Sequence, residues 1–101
     1  MIRHMVVLTA YVSVLPDKIP AALEACRKVR QPSLAEPGCE KYDFFQSPED
    51  PTSIVFVEEW TSKQHLDTHF EQTAFKDFFA SLSEYLQKPP DIRIFEATPH
   101  A

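Results

Sequence analysis

The sequence predicts an α+β domain of the ferredoxin-like class, a split β-α-β arrangement with a four-stranded antiparallel sheet. Four segments are rich in β-branched and aromatic residues and alternate in polarity, as strands do. Three other segments repeat apolar residues at helical spacing. Their order along the chain is β-α-β-β-α-α-β, which favours helices packed on one face of such a sheet.

The first strand and the first helix come from the N-terminal third of the chain. Residues 5–15 alternate between an apolar face and a mixed face, which predicts a strand. Apolar residues at helical spacing predict a helix over 18–31, with Asp17 as its cap. Because proline lacks the N–H that a helix interior uses, Pro32 is expected to stop or kink this helix, and the segment SLAE to add at most another turn.

A hairpin, two helices and a last strand follow. The Pro-Gly pair at 37–38 is a strong turn signal ahead of the hairpin. Thr61 and Gln64 match the T-x-x-Q capping box, which predicts the start of a short helix. The remaining predicted elements are strands at 39–47, 53–60 and 92–97 and a helix at about 74–86.

Length, charge and cysteine content narrow the class of protein. The chain has 101 residues, which predicts one domain over 1–101. Its net charge is −5 and it has no basic stripe, so we expect no nucleic-acid partner. Cys26 and Cys39 match neither a zinc site nor a disulfide framework, which favours a reducing, cytoplasmic setting. No stretch is long enough to cross a membrane, and the apolar start resembles a signal peptide only weakly.

Glu58 is a candidate for acid–base chemistry. It alternates with Phe56 and Trp60 on one face of the third strand. If this face meets the helices, burial raises the pKa of the carboxyl group unless a donor pairs with it. Two interpretations stay open: a general base or ligand anchor, and a buried structural acid that holds a neighbouring element. Trp60 is expected in the core, where its indole N–H needs a partner.

His65 and His69 lie four residues apart, on one face of the short helix. No third ligand stands at a recognisable spacing, and Leu66 replaces the glutamate of the zinc-protease motif, so we expect no metal site. His69 ends the helix and borders the space between helix and sheet. There it either accepts protons near neutral pH or is satisfied by a backbone or carboxylate partner. His65 is expected at the rim.

Aromatic residues are expected to line the same space. Tyr42 and Phe44 share a face of the second strand, and Phe56 and Phe78 come from the third strand and the last helix. Each is also a candidate for the ordinary core. Since no nucleophile, metal, nucleotide or flavin motif is present, an enzyme of this sequence would work in an apolar pocket and without a cofactor.

Two stretches, EPGCEKYDFF and SIVFVEEWTSKQHLDTHFEQTAFKDF, resemble the antibiotic biosynthesis monooxygenase domain family. The family pattern is E-x-G-C-x-x-Y, then E-x-W, then s-x-x-x-L-x-x-H-x-x-x-x-x-F. The HLxxH helix resembles the quinol monooxygenase branch. The matching residues are Glu36, Gly38, Cys39, Tyr42, Glu58, Trp60, Ser62, Leu66, His69 and Phe75.

The resemblance implies a homodimeric α+β barrel that oxidises a small hydroquinone or phenolic aromatic with molecular oxygen and no cofactor. A second copy of the chain would cover the apolar second face of the sheet. In this interpretation His69 accepts a proton and Glu58 orients a partner such as a histidine. Trp60 and Tyr42 position the ring. The other expected substrate-binding residues are His65, Phe44, Phe56 and Phe78.

Two alternatives stay open, because fold does not determine function. A non-oxidative isomerase on the same scaffold would use His69 and Glu58 as acid and base, and it would keep its activity under nitrogen. A non-catalytic dimeric module that binds a small molecule or serves in stress response would turn nothing over. A collapsed, phenylalanine-filled interior would favour that module.

Overall fold

The computed structural model of the chain describes residues 3–100, and its elements follow the predicted order. The strands form one antiparallel sheet in the order β2-β3-β1-β4, which confirms the ferredoxin-like α+β class. Residues 1, 2 and 101 of the expected domain lie outside the described part. The elements are β1 (Met5–Ser13), α1 (Ile19–Leu34), β2 (Cys39–Gln46), β3 (Ser53–Trp60), α2 (Lys63–Phe70), α3 (Thr73–Ser83) and β4 (Asp91–Ala97).

One face of the sheet is covered by the helices, and β3 shows this most clearly. Its residues alternate between buried and half-buried, with Phe56, Glu58 and Trp60 on the buried side. Leu8 of β1 and Tyr42 of β2 lie directly opposite Glu58 in the ladder. Residues opposite each other on antiparallel strands share a face. Glu58 therefore lies in the middle of the helix-covered face.

The start of α1 differs from the prediction, whereas its end falls within the further turn that the segment SLAE was expected to add. A short 3-10 turn over Pro16–Lys18 comes first, and no side chain caps α1, so the assignment of Asp17 as its cap is wrong. The helix also continues through Pro32 to Leu34. Pro32 is exposed, so water can reach the carbonyl group that proline leaves without its helical donor.

The cap of α2 lies one residue later than the capping box predicted. The N-cap is Ser62, whose hydroxyl accepts a hydrogen bond from the backbone N–H of His65 at 3.2 Å. The Thr61 side chain instead donates to the carbonyl of Gly38 at 3.3 Å. The T-x-x-Q match therefore predicted the helix correctly and its capping residue incorrectly.

The end of α3 is earlier than predicted, because the chain after it pairs with the end of β1. Tyr85 accepts a backbone hydrogen bond from Leu15 at 2.8 Å, and Gln87 donates one to Ser13 at 2.8 Å. These bonds replace further helical turns. Beyond them β4 forms an exposed edge of the sheet that the helices do not cover.

Within residues 3–100, none of the helices combines the length and the apolarity that crossing a bilayer requires.

Candidate functional site

A small cavity lies between the helix-covered face of the sheet and helices α2 and α3. Its volume is about 40 Å³, enough for a few water molecules but not for an aromatic ring. Leu8, Ala10 and Val12 of β1 line its floor. Pro90 and Ile92 line the side of the cavity next to β4. The aromatic part of the lining consists of Tyr42, Phe56, Phe70, Phe75, Phe78 and Phe79.

Glu58 is the one carboxyl group among the residues lining this cavity. Glu58 is only 4% exposed, and its Oε1 accepts a hydrogen bond from the indole N–H of Trp60 at 3.0 Å. Burial raises the pKa of Glu58 to about 7; the Trp60 hydrogen bond acts against this rise, and the negative charge of Glu36 adds to it. The partner of Glu58 is thus the neighbouring tryptophan, and not a histidine as expected.

Tyr42 also lines the cavity and is almost completely buried. Its pKa lies well above the ordinary value, first because of burial and second because of the nearby Glu58 charge. The phenol therefore stays protonated at neutral pH and can act as a hydrogen-bond donor or a ring surface.

His69 lies behind the cavity wall and has no exposed surface. Its Nδ1 is 3.1 Å and 3.0 Å from the two carboxylate oxygens of Glu36. Burial lowers the pKa of His69, and the Glu36 contact opposes this. Aromatic rings surround the imidazole, with centroid distances of 4.8 Å to Trp60, 5.0 Å to Phe75, 5.4 Å to Tyr42 and 5.7 Å to Phe70.

The structure brings together most of the predicted site residues, but not His65. That side chain packs on Gly38 and its Nδ1 lies 2.7 Å from the Ser62 hydroxyl, at the opposite end of α2 from His69. It is absent from the cavity lining. His65 therefore serves the start of α2, and we leave it out of the site.

The predicted phenylalanines divide into two groups. Phe56 and Phe78 line the cavity, with their ring centroids 5.5 Å apart. Phe44 lies one strand further out and packs on Phe56 at 5.7 Å without reaching the cavity. Phe44 is therefore a supporting core residue.

The sequence reasoning missed two features of the site. It assigned no role to Glu36, although this residue belongs to the E-x-G-C-x-x-Y pattern and meets His69 from 33 positions away. It also left Phe70 and Phe75 out of the expected site, although both line the cavity and contact the His69 ring. The family pattern includes Glu36 and Phe75 but not Phe70, and only the packing of the helices on the sheet shows what these residues contact.

A larger groove of about 490 Å³ runs along the surface between α1 and α3. It is lined by exposed charged side chains such as Glu24, Lys28 and Asp77, by small residues, and by the rings of Phe78 and Tyr85. Such an open, solvated groove offers no water-excluded chemistry, so the smaller interior cavity is the better candidate site.

The thiols are poor nucleophiles at neutral pH. Burial raises the pKa of Cys26 to about 12 and is also the main cause that raises the pKa of Cys39 to about 11. Both are free cysteines. Across residues 3–100, no group of three or more His, Cys, Asp or Glu side chains is arranged to hold a metal ion.

Comparison with known proteins places the chain among relatives of the same fold. The sequence profile of the antibiotic biosynthesis monooxygenase family matches residues 5–81. The Bacillus subtilis protein named "Putative monooxygenase YcnE" is 33% identical over 88 residues, which are 87% of this chain and 93% of that protein. "Uncharacterized protein sll1783" of Synechocystis is 31% identical over 91 residues; the match covers 90% of this chain but only 62% of that protein's length.

A solved structure supports the same grouping. The "Putative antibiotic biosynthesis monooxygenase from Nitrosomonas europaea" superposes with a TM-score of 0.89 and 29% identity. The superposition covers 92% of this chain and 89% of that one.

Proposed function

The chain belongs to the antibiotic biosynthesis monooxygenase family, and from this premise we propose that it is a cofactor-independent monooxygenase acting on a small hydroquinone or phenolic aromatic. The proposal rests on the position of Glu58 in the cavity. This buried carboxyl group has a pKa of about 7 and faces a cavity lined by aromatic rings. A group that is half ionised at neutral pH is suited to accept a proton there.

The reaction needs no electron donor besides the substrate. A hydroquinone and O₂ give a hydroxyquinone and water, with one oxygen atom inserted into the ring and the other reduced. The protein's part is to remove the phenolic proton, since the resulting anion is richer in electrons and reacts more readily with oxygen. Burial among aromatic rings also excludes water from the reactive intermediates.

Glu58 has one oxygen free for this task. Trp60 donates to Oε1 and holds the carboxyl group in place, which leaves Oε2 for a ligand hydroxyl. The neighbouring Tyr42 ring and the Phe56 and Phe78 rings offer surfaces for an aromatic ligand. This reverses the roles expected from the sequence, since Glu58 rather than His69 lines the cavity.

A ligand must enlarge the cavity to enter. Cavities that hold small organic ligands commonly measure roughly 300–1,000 Å³, and this one measures about 40 Å³. Phe79 and Ile92 line the cavity and are themselves 40% and 45% exposed, so they form its rim. We place the entrance between α3 and β4.

We also propose that the protein is a homodimer. The sheet face opposite the helices carries Val7, Val55 and Val57 together with large exposed rings. Phe45 is 57% exposed, and Phe95 is 51% exposed. An apolar surface of this kind on a small domain is typical of an interface, and a second copy placing the same face against it would bury both. A cytoplasmic location stays a prediction.

The test measures oxygen consumption with hydroquinone and 1,4-dihydroxynaphthalene, in the presence of a chelator. We expect uptake above the spontaneous rate for the wild type. Glu58→Gln keeps the size of the side chain but removes the base, so kcat/KM should fall on the order of 100-fold. Glu96→Gln is the matched control: this strand glutamate lies opposite Val6 but is exposed, and its loss should leave the rate unchanged.

A wild-type rate equal to the spontaneous rate with both compounds would contradict the oxygenase proposal. A Glu58→Gln variant as active as the wild type would contradict the assignment of the base and leave the activity standing. Turnover that continues under nitrogen would instead favour the isomerase.

The small cavity favours a second candidate, a dimeric module that binds a small molecule without transforming it. Phenylalanine rings fill the space around the cavity, which is the arrangement expected for such a module. Binding of the same two compounds with no product formed in air would support the module over the enzyme.

A further inference from the structure

One buried polar atom of the described residues has no hydrogen-bond partner: Nε2 of His69. Native interiors rarely leave such an atom unsatisfied, because burying it without a partner costs free energy. By contrast, the indole nitrogen of Trp60, which is also a completely buried residue, donates a hydrogen bond to Glu58. The exception therefore needs an explanation of its own.

The opposite nitrogen of the same ring is held by Glu36. Both Glu36 carboxylate oxygens lie within hydrogen-bond distance of Nδ1, at 3.1 Å and 3.0 Å. The backbone of Glu36 is itself fixed on both sides. Its N–H donates to Ser33 at 3.1 Å, and its carbonyl accepts from Cys39 at 3.2 Å. The carboxylate is thus presented to His69 by a well-anchored turn.

This contact determines which nitrogen carries the proton. A carboxylate can only accept a hydrogen bond, so Nδ1 must donate. Burial lowers the pKa of His69, which keeps the ring neutral at pH 7. A neutral imidazole has one N–H, and with that proton on Nδ1 the Nε2 atom carries a bare lone pair.

The imidazole ring of His69 lies directly behind the cavity wall. Three of the rings that surround His69 also line the cavity, namely those of Tyr42, Phe70 and Phe75. Phe70 and Phe75 come from the helices, at either side of the short break between α2 and α3. These two side chains stand between the cavity and His69, so a ring-sized ligand that displaced them would come next to the imidazole.

We propose that Glu36 is a positioning residue that holds His69 as the Nδ1–H tautomer, so that Nε2 accepts a hydrogen bond from a second hydroxyl group of the ligand. The inference rests on the proposed function, in which Glu58 takes the first hydroxyl. It narrows the ligand class to dihydric aromatics. A monohydric phenol would leave one of the two acceptors unsatisfied.

The first test reads the tautomer of His69 by long-range ¹H–¹⁵N correlation in labelled protein, without any ligand. We expect the Nδ1–H form in the wild type and loss of that form in Glu36→Ala. Glu36→Gln keeps the side-chain length and should lose part of the Nδ1–H form. This variant also provides the test if Glu36→Ala does not fold. Glu24→Gln, an exposed glutamate of α1, is the control and should not change the tautomer.

The tautomer result does not depend on any activity. An Nε2–H form in the wild type would overturn the inference. A His69 tautomer that is unchanged in both Glu36 variants would overturn it too.

The second test measures binding under nitrogen, so that no oxidation occurs. 1,4-Dihydroxynaphthalene and 1-naphthol differ by one hydroxyl group, and calorimetry should show about 10-fold tighter binding of the dihydric compound by the wild type. His69→Phe keeps the aromatic volume and should remove this preference. Glu36→Ala should reduce it.

The two proposals can fail separately. Equal affinity for both compounds, or binding of neither, would overturn the contact between Nε2 and a ligand hydroxyl. A clear preference without oxygen uptake in air would support the contact and contradict the oxygenase.

Discussion

At the scale of single residues, Glu58 is the proposed base, and its burial also has a cost in stability. The carboxyl group is buried and receives one hydrogen bond, from the Trp60 indole. One such bond offsets only part of the desolvation that ionisation of a buried carboxyl group involves, so the protonated form is favoured in the folded state. The same shift that suits Glu58 to accept a proton makes the fold sensitive to pH.

The contribution of Glu58 to the stability of the protein should therefore fall as pH rises. The pKa of Glu58 rises from 4.5 to about 7 on folding, so this group's contribution is fully present below 4.5 and is lost as pH passes through about 7. Between pH 5.5 and 8.5 the free energy of unfolding should fall by about 2 kcal/mol more in the wild type than in Glu58→Gln. Urea unfolding at both pH values measures this difference.

Because the other titrating groups are the same in wild type and Glu58→Gln, their contributions to the pH dependence of the free energy of unfolding cancel in the comparison. His69 has a lowered pKa and acts in the opposite direction, since its contribution is lost as pH falls below 6.5. An identical pH dependence of wild type and variant would show that Glu58 is not perturbed by the fold.

At the scale of elements, the turn before β2 packs closely against the start of α2. Gly38 has a φ of +81°, and a Cβ atom placed on it would lie 2.7 Å from the Cβ of His65. The carbonyl of Gly38 also accepts the backbone N–H of Thr61 at 2.8 Å. The glycine thus lets the turn that carries Glu36 approach α2, the helix that carries His69.

Gly38→Ala should destabilise the protein by roughly 2 kcal/mol or more, because it adds overlap with His65 to an unfavourable backbone conformation. His65→Ala alone should cost about 1 kcal/mol through its Ser62 hydrogen bond. The double variant should be less destabilised than the sum of the two. A double-mutant cycle from chemical unfolding measures this coupling.

Strict additivity in that cycle would mean that the two side chains do not contact each other. In that case the backbone conformation alone would explain the cost of Gly38→Ala.

At the scale of the whole molecule, the sheet separates two different environments. Its helix-covered face holds the core and the candidate site, while its open face carries Tyr11, Phe45 and Phe95, each about half exposed. Arg93 lies over the Tyr11 ring at 5.8 Å and covers a small part of this surface. The proposed homodimer would bury the remainder.

Val57→Glu should dissociate that dimer. Val57 lies in the middle of β3 on the open face, so a charge there would be buried without a partner in the dimer but solvated in the monomer. Sedimentation equilibrium should give twice 11.6 kDa for the wild type and 11.6 kDa for the variant. Ala80→Glu, on the exposed side of α3, is the control and should stay dimeric.

A wild-type mass of 11.6 kDa would contradict the dimer itself. A Val57→Glu variant that stays dimeric would show that the copies meet through another surface.

The sequence alone determined the order of elements and the two faces of β3. Alternation and helical spacing are local properties, so they predicted that Phe56, Glu58 and Trp60 share one face of this strand, and the structure shows that this face is the buried one. The motif residues also predicted the family. The caps of α1 and α2 were missed, because neighbouring residues compete for a cap position and the sequence does not show which of them occupies it.

Only the tertiary structure decided which side chains meet. It paired Glu58 with Trp60 and His69 with Glu36, and it moved His65 out of the site. The His69–Glu36 contact joins residues 33 positions apart, so it depends on how α2 packs against the turn before β2 and leaves no periodic signal. The sequence marked the chemical groups, and the packing of α2 and α3 determined which of them faces the cavity.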